Sequence, residues 1–125
     1  MLGFRAFGAD SAAARGADDQ IAQVNELLQE YAGAWDCHVD SWLVMRMADP
    51  RWVHTWRLQA ERKMKAAGNA GMNDEEVHRF VERYMPAYRA YLPELYAKGP
   101  TTCKEGRTLV VEVDEQRRLV AAEAR

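Results

Sequence analysis

Ser41–Ala48, S-W-L-V-M-R-M-A, is the segment that most narrows the folds open to this chain. Trp42 and Val44 alternate with Leu43, Met45 and Met47, so an extended backbone here is apolar on both faces, and only Arg46 interrupts it. A strand of that kind belongs inside a sheet covered by helices, typically a parallel one. Parallel strands need a long crossover connection, and about 60 residues of mostly helical pattern separate this segment from the next strand. That strand is Thr108–Val113, T-L-V-V-E-V, dense in β-branched residues. Two or three strands make a poor sheet by themselves, because both faces and both edges need cover. The expectation is therefore part of an α/β domain, helix-rich and with an incomplete parallel sheet, in preference to a self-sufficient α+β fold.

The first strand runs straight into D-P-R-W-V-H-T-W-R-L-Q-A-E-R-K-M-K, Asp49–Lys65. Asp49 is suited to the N-cap and Pro50 to the first helical position. Trp52, Trp56, Ala60 and Met64 predict a buried apolar stripe, and Arg57, Glu61 and Lys65 a second face spaced for i,i+4 ion pairs. Arg62 and Lys63 leave the segment positive, so it either faces solvent or holds an anion. Gly68–Gly71 breaks the pattern. Asn73 then caps another helix with Glu76 completing a capping box, and Met72 and Val77 take the positions of a hydrophobic staple. A core face continues through Phe80, Val81, Tyr84, Met85, Tyr88, Leu92 and Leu95, with a break predicted near Arg83–Pro86 and a second bend or new short helix at Pro93. Gly99 and Pro100 stop it.

The flanks are simpler. Residues 1–16 read as loop, and a helix is expected from about Asp18 to Tyr31, ended by Gly33. A turn at Asp114–Gln116 returns the chain into a short strand around Arg118–Val120, and residues 121–125 are expected to be a flexible tail.

Composition excludes several classes. A net charge of -2 and a pI near 5.9 argue against a nucleic-acid partner. No apolar run approaches the roughly 20 residues that span a bilayer, and no apolar leader is present, so a soluble intracellular protein is expected. Cys37 and Cys103 predict free, inert thiols. His38, His54 and His78 are scattered without metal-ligand spacing, so no metal site is expected. Asp36 and Asp40 suit turns, and the stripe formed by Tyr84, Tyr88, Tyr91 and Tyr96 suits a core.

Three blocks carry a family resemblance: W-V-H-T-W-R-L-Q-A-E-R-K-M-K, then G-M-N-D-E-E-V-H-R-F-V-E-R-Y-M-P-A-Y-R-A-Y-L-P-E-L-Y, then T-L-V-V-E-V-D-E-Q-R-R. Together with the opening M-L-G-F-R-A-F, they make the chain similar to the C-terminal part of the D-glycerate 3-kinase family. These are P-loop kinases, related in fold to uridine and pantothenate kinases, which transfer the γ-phosphate of ATP to the 3-hydroxyl of glycerate. The resemblance implies ATP and Mg2+ as cofactors of the complete domain, and residues 17–120 as a partial P-loop kinase domain. It implies a cytoplasmic location, or a chloroplast one in a photosynthetic eukaryote. No G-x-x-x-x-G-K-[ST] occurs in the sequence. Met1 falls where the family has an internal residue, which predicts a truncated or split chain, inactive alone, whose partner is the missing N-terminal half. By likeness to the lid helix of related kinases, Arg57, Arg62 and Lys63 are candidate phosphate clamps, against the plainer reading of a solvated face. Arg5 is a candidate for the substrate carboxylate, and Gly99–Thr108 lies where the adenine is bordered. A non-catalytic helical interaction module, or pseudokinase remnant, is the alternative.

Overall fold

A computed structural model describes residues 19–100 and 103–125. The expected 1–16 loop and the candidate Arg5 lie outside the described residues. In chain order the elements are α1 (Asp19–Gln29), α2 (Tyr31–Ala34), a 3-10 turn (Asp36–His38), β1 (Trp42–Met47), α3 (Trp52–Ala66), α4 (Asp74–Glu82), α5 (Met85–Lys98), β2 (Thr108–Val113) and β3 (Leu119–Ala124). The expected α/β class holds, helix-rich and with a sheet of only three strands. Its contacts divide it into two compact units, one of residues up to Ala48 with Ala87–Arg125, the other Asp49–Pro86. No helix among the described residues is long and apolar enough to cross a membrane.

In the first unit the sheet order is β1-β2-β3. β1 and β2 are parallel, with Trp42 opposite Thr108 and Met47 opposite Val113, so the crossover predicted from the two apolar strands is present. β3 is antiparallel to β2, which makes the sheet mixed and not purely parallel. The tail expected to fray from Ala121 is instead paired: Leu109 faces Ala124, and Thr108 and Arg125 exchange backbone hydrogen bonds of 2.9 and 2.7 Å. The hairpin between these strands closes locally. Asp114 accepts from the Arg118 amide at 2.8 Å and from its guanidinium at 2.7 Å, with Arg117 in the left-handed region at φ 63°.

The two sheet faces are covered unequally, the second being buried, among the described residues, only at Val113, which is 7% exposed. Val44 and Val110 are buried at 4% and 3% exposure, while Leu43, Met45 and Leu109, on the alternate face, are 62%, 53% and 43% exposed. Arg46, the residue that broke the apolar pattern, lies half-buried on the Val44 face and donates to Glu112, its register partner on β2, at 2.8 Å. The neighbouring strand thus supplies the counter-charge that makes an arginine tolerable there.

Helix α5 joins this sheet through Tyr96, whose hydroxyl accepts from the Met47 amide at 3.3 Å and whose carbonyl accepts from Arg125 at 3.0 Å. Pro86 stands in its first turn, where a missing donor costs nothing, and α4 ends before it, so the predicted break occurs. Pro93 starts no new helix; α5 runs through it to Lys98. At the other end of the chain, Gly33 does not stop the helix but lies inside α2, after an interruption at Glu30.

Burial raises the phenol pKa of Tyr88, Tyr91 and Tyr96 above the ordinary 10.0. The unfolded chain therefore releases these protons first as the solution becomes alkaline. The stability gained by keeping the phenols neutral is complete below pH 10.0 and declines as pH climbs through the higher folded values. Thermal melts by circular dichroism between pH 9 and 11.5 are expected to show a falling midpoint that tracks tyrosinate absorbance. A flat profile would contradict it.

Candidate functional site

The second unit is a helical hairpin, α3 and α4, and it carries Arg57, Arg62 and Lys63. Its ends are set locally. The Asp49 carboxylate accepts from the Arg51 amide at 2.9 Å and grips the Arg51 guanidinium at 2.6 Å. Helix α3 itself begins only at Trp52, after i→i−3 hydrogen bonds to the carbonyls of Asp49, Pro50 and Arg51, so Asp49 and Pro50 precede it and do not occupy its N-cap and first position. At the C-terminal end Gly68 sits at φ 83°, its amide bonding the Lys65 carbonyl and the Asn69 amide reaching back to Met64. That double closure needs a residue free to be left-handed, which glycine is. Asn73 and Glu76 form the predicted capping box at the start of α4.

The tryptophan stripe is not a buried ridge. Trp52 and Trp56 are half-buried with ring centroids 6.4 Å apart, Ala60 is exposed and Met64 is 37% exposed. The residue α3 does bury is Glu61, at 2% exposure. One of its carboxylate oxygens takes the Arg57 guanidinium and the other accepts from the Met72 amide at 3.0 Å. A Cβ added at Gly71 would meet that second oxygen at 2.8 Å, which is why the loop passing Glu61 carries a glycine. Glu61 therefore ties α3 to the loop before α4, a role that sequence spacing shows only as one half of an i,i+4 pair.

Helix geometry separates the three candidate cations. At 3.6 residues per turn, Arg62 lies about 140° and Lys63 about 240° around the axis from Arg57, so they do not converge on one face. Arg57 is held by Glu61 and lies over the Phe80 ring, 5.2 Å from its centroid. Arg62 pairs with Asp74 at 2.9 Å, both side chains about two-thirds exposed at 64% and 66%. Such a pair is worth little and is readily exchanged for a phosphate. Lys63 is exposed in the last turn of α3 and makes no ion pair among the described residues. Arg62 and Lys63 are thus available to an anion, whereas Arg57 is committed to its own unit.

The first unit holds a cavity of about 190 Å3 lined by Lys98, Gly99, Cys103, Thr108 and Arg125 among others. It lies along the Gly99–Thr108 segment that the resemblance sets beside the adenine, although residues 101 and 102 are outside the described residues. Cys37 and Cys103 are free thiols. Sequence reasoning missed one cluster altogether: His54 of α3 and His78 and Glu82 of α4 present their ligand atoms within 4.8 Å of one another. His78 and Glu82 are one helical turn apart, but nothing in the sequence indicates that His54 meets them.

No protein-family model matches the sequence. The chain is 48% identical over 122 residues to the chloroplastic D-glycerate 3-kinase of Arabidopsis thaliana, a match covering 98% of this chain and 26% of that protein. It is 36% identical to TDA10 of Saccharomyces cerevisiae, described as a probable ATP-dependent kinase, over 58% of this chain and 24% of that one. Among solved structures, D-glycerate 3-kinase from Cryptococcus neoformans var. grubii superposes with a TM-score of 0.78 at 30% identity, over 98% of this chain and 47% of its own. The chain spans about a quarter of the length of the curated relatives it matches. The resemblance to D-glycerate 3-kinases therefore holds in sequence and in fold.

Proposed function

We propose that this chain, similar along nearly its whole length to part of the D-glycerate 3-kinases, supplies the helical hairpin with its basic helix α3 and part of the central sheet of a kinase that phosphorylates the 3-hydroxyl of glycerate from Mg-ATP. The 48% identity to the Arabidopsis enzyme carries this reading. Phosphoryl transfer depends on positioning and on neutralising charge over the transferred group, chiefly by a backbone cradle, its lysine and a metal. The sequence has no G-x-x-x-x-G-K-[ST] to build that cradle, so the phosphate loop comes from the rest of the full-length protein. This chain adds supplementary charge. Arg62 exchanges Asp74 for a phosphate oxygen, Lys63 joins from the neighbouring sector, and Arg57, held by Glu61, stiffens the hairpin that carries them. Arg5 remains the candidate for the substrate carboxylate by the family resemblance alone, and the cavity beside Gly99–Thr108 borders the adenine. The cytoplasm, or a chloroplast in a photosynthetic cell, is the compartment this reading implies.

A non-catalytic interaction module is the second reading, favoured by the exposed apolar side chains of Leu43, Met45 and Leu109 at one end of the sheet. One experiment separates the two. The chain is combined with the remaining portion of the Arabidopsis enzyme, and ADP release is followed with D-glycerate and Mg-ATP. Neither part alone is expected to turn over, and the complex is. In the complex, Arg62→Ala should raise the KM for ATP roughly tenfold, the loss of one charge-assisted hydrogen bond of about 1.5 kcal/mol. A folded complex without activity would leave the interaction module standing.

A further inference from the structure

We propose that His54, His78 and Glu82 form a binding site for a borderline divalent transition-metal ion, Zn2+ being the best chemical fit. His78 and Glu82 stand at i and i+4 on α4, so their side chains leave the same face. Helix α3 brings His54 against them. His54 Nε2 is 3.0 Å from Glu82 Oε1, and the two imidazoles stack with centroids 4.9 Å apart at 28°. All three ligand atoms fall within 4.8 Å of one another. Zinc bonds of about 2.0–2.2 Å in tetrahedral geometry call for donors roughly 3.4 Å apart, a spacing these side chains reach by small rotations.

An interhelical ion pair between His54 and Glu82 would account for two of the three residues. It leaves His78 without a purpose, since among the described residues that ring stacks on His54 and makes no hydrogen bond. Two imidazoles and one carboxylate are a donor set that suits Zn2+, with a position left open. The same set rejects Mg2+, which demands oxygen ligands in octahedral array, so this site is not one for the metal of a nucleotide. His78 and Glu82 are exposed, which gives an ion a direct path from solvent. A bound ion would link α3 to α4, independently of the kinase reading and of Arg57, Arg62 and Lys63.

The test is calorimetric titration of ZnCl2 into the metal-free 125-residue chain carrying Cys37→Ser and Cys103→Ser, which removes the competing thiols, in a non-chelating buffer at pH 7.5. One ion per chain is expected to bind, with a higher melting temperature, while MgCl2 gives neither effect. His78→Asn and Glu82→Gln, both at exposed positions, should each weaken zinc binding at least about tenfold with unchanged far-UV circular dichroism. Absence of zinc binding by the thiol-free chain, or affinity undiminished in both variants, overturns the proposal.

Discussion

Replacing Glu61 by alanine is expected to lower the unfolding free energy by about 3 kcal/mol, a large share of the stability of a domain this size. Three consequences follow from one truncation. The Arg57 guanidinium loses its counter-charge, the Met72 amide loses its acceptor, and a cavity opens beneath Gly71. Breaking a buried pair commonly costs about 3–5 kcal/mol, but the Arg57 side chain is 39% exposed and water screens part of that loss. Glu61→Gln keeps an acceptor for Met72 but gives up the charge and the second oxygen that accepts from Arg57, so at least about half the effect should remain. Urea unfolding followed by circular dichroism measures both. A loss below about 1 kcal/mol for the alanine variant would show that the carboxylate does not anchor the loop.

Tyr91→Ala is expected to cost about 3–4 kcal/mol, the range for deleting a buried aromatic side chain. Tyr91 is 3% exposed on α5, flanked by Tyr88 at 5% and Leu92 at 9%, so the surrounding side chains have little freedom to fill the space. Tyr91→Phe retains the ring and is expected to cost about 1 kcal/mol or less, a single hydrogen bond at most. The two variants together separate ring from hydroxyl. Similar losses in both would locate the contribution in the hydroxyl and overturn the packing account.

Several elements were legible because their signals lie within a few residues. The capping box at Asn73 and Glu76, the break before Pro86, the stop at Gly99 and the β-branched run at Thr108–Val113 all stand where local chemistry puts them. The misreadings share one cause. Ala121–Ala124 has weak strand propensity, yet it pairs because β2 offers it a complete ladder. Gly33 lies inside a short helix where glycine ordinarily stops one. The stripe from Trp52 to Met64 has the right period, but period alone does not say how deeply a face is covered.

By itself the sequence determined the α/β class, the parallel crossover, most helix ends and the likeness to D-glycerate 3-kinases. Each of these follows from backbone preferences over a turn or two, or from blocks of residues held in order. Only the tertiary structure decided that Glu61 is buried, that Arg46 meets Glu112, and that His54 reaches His78 and Glu82. Those meetings join residues up to 66 positions apart. They depend on strand register and on helix rotation, which packing fixes and local propensity does not encode.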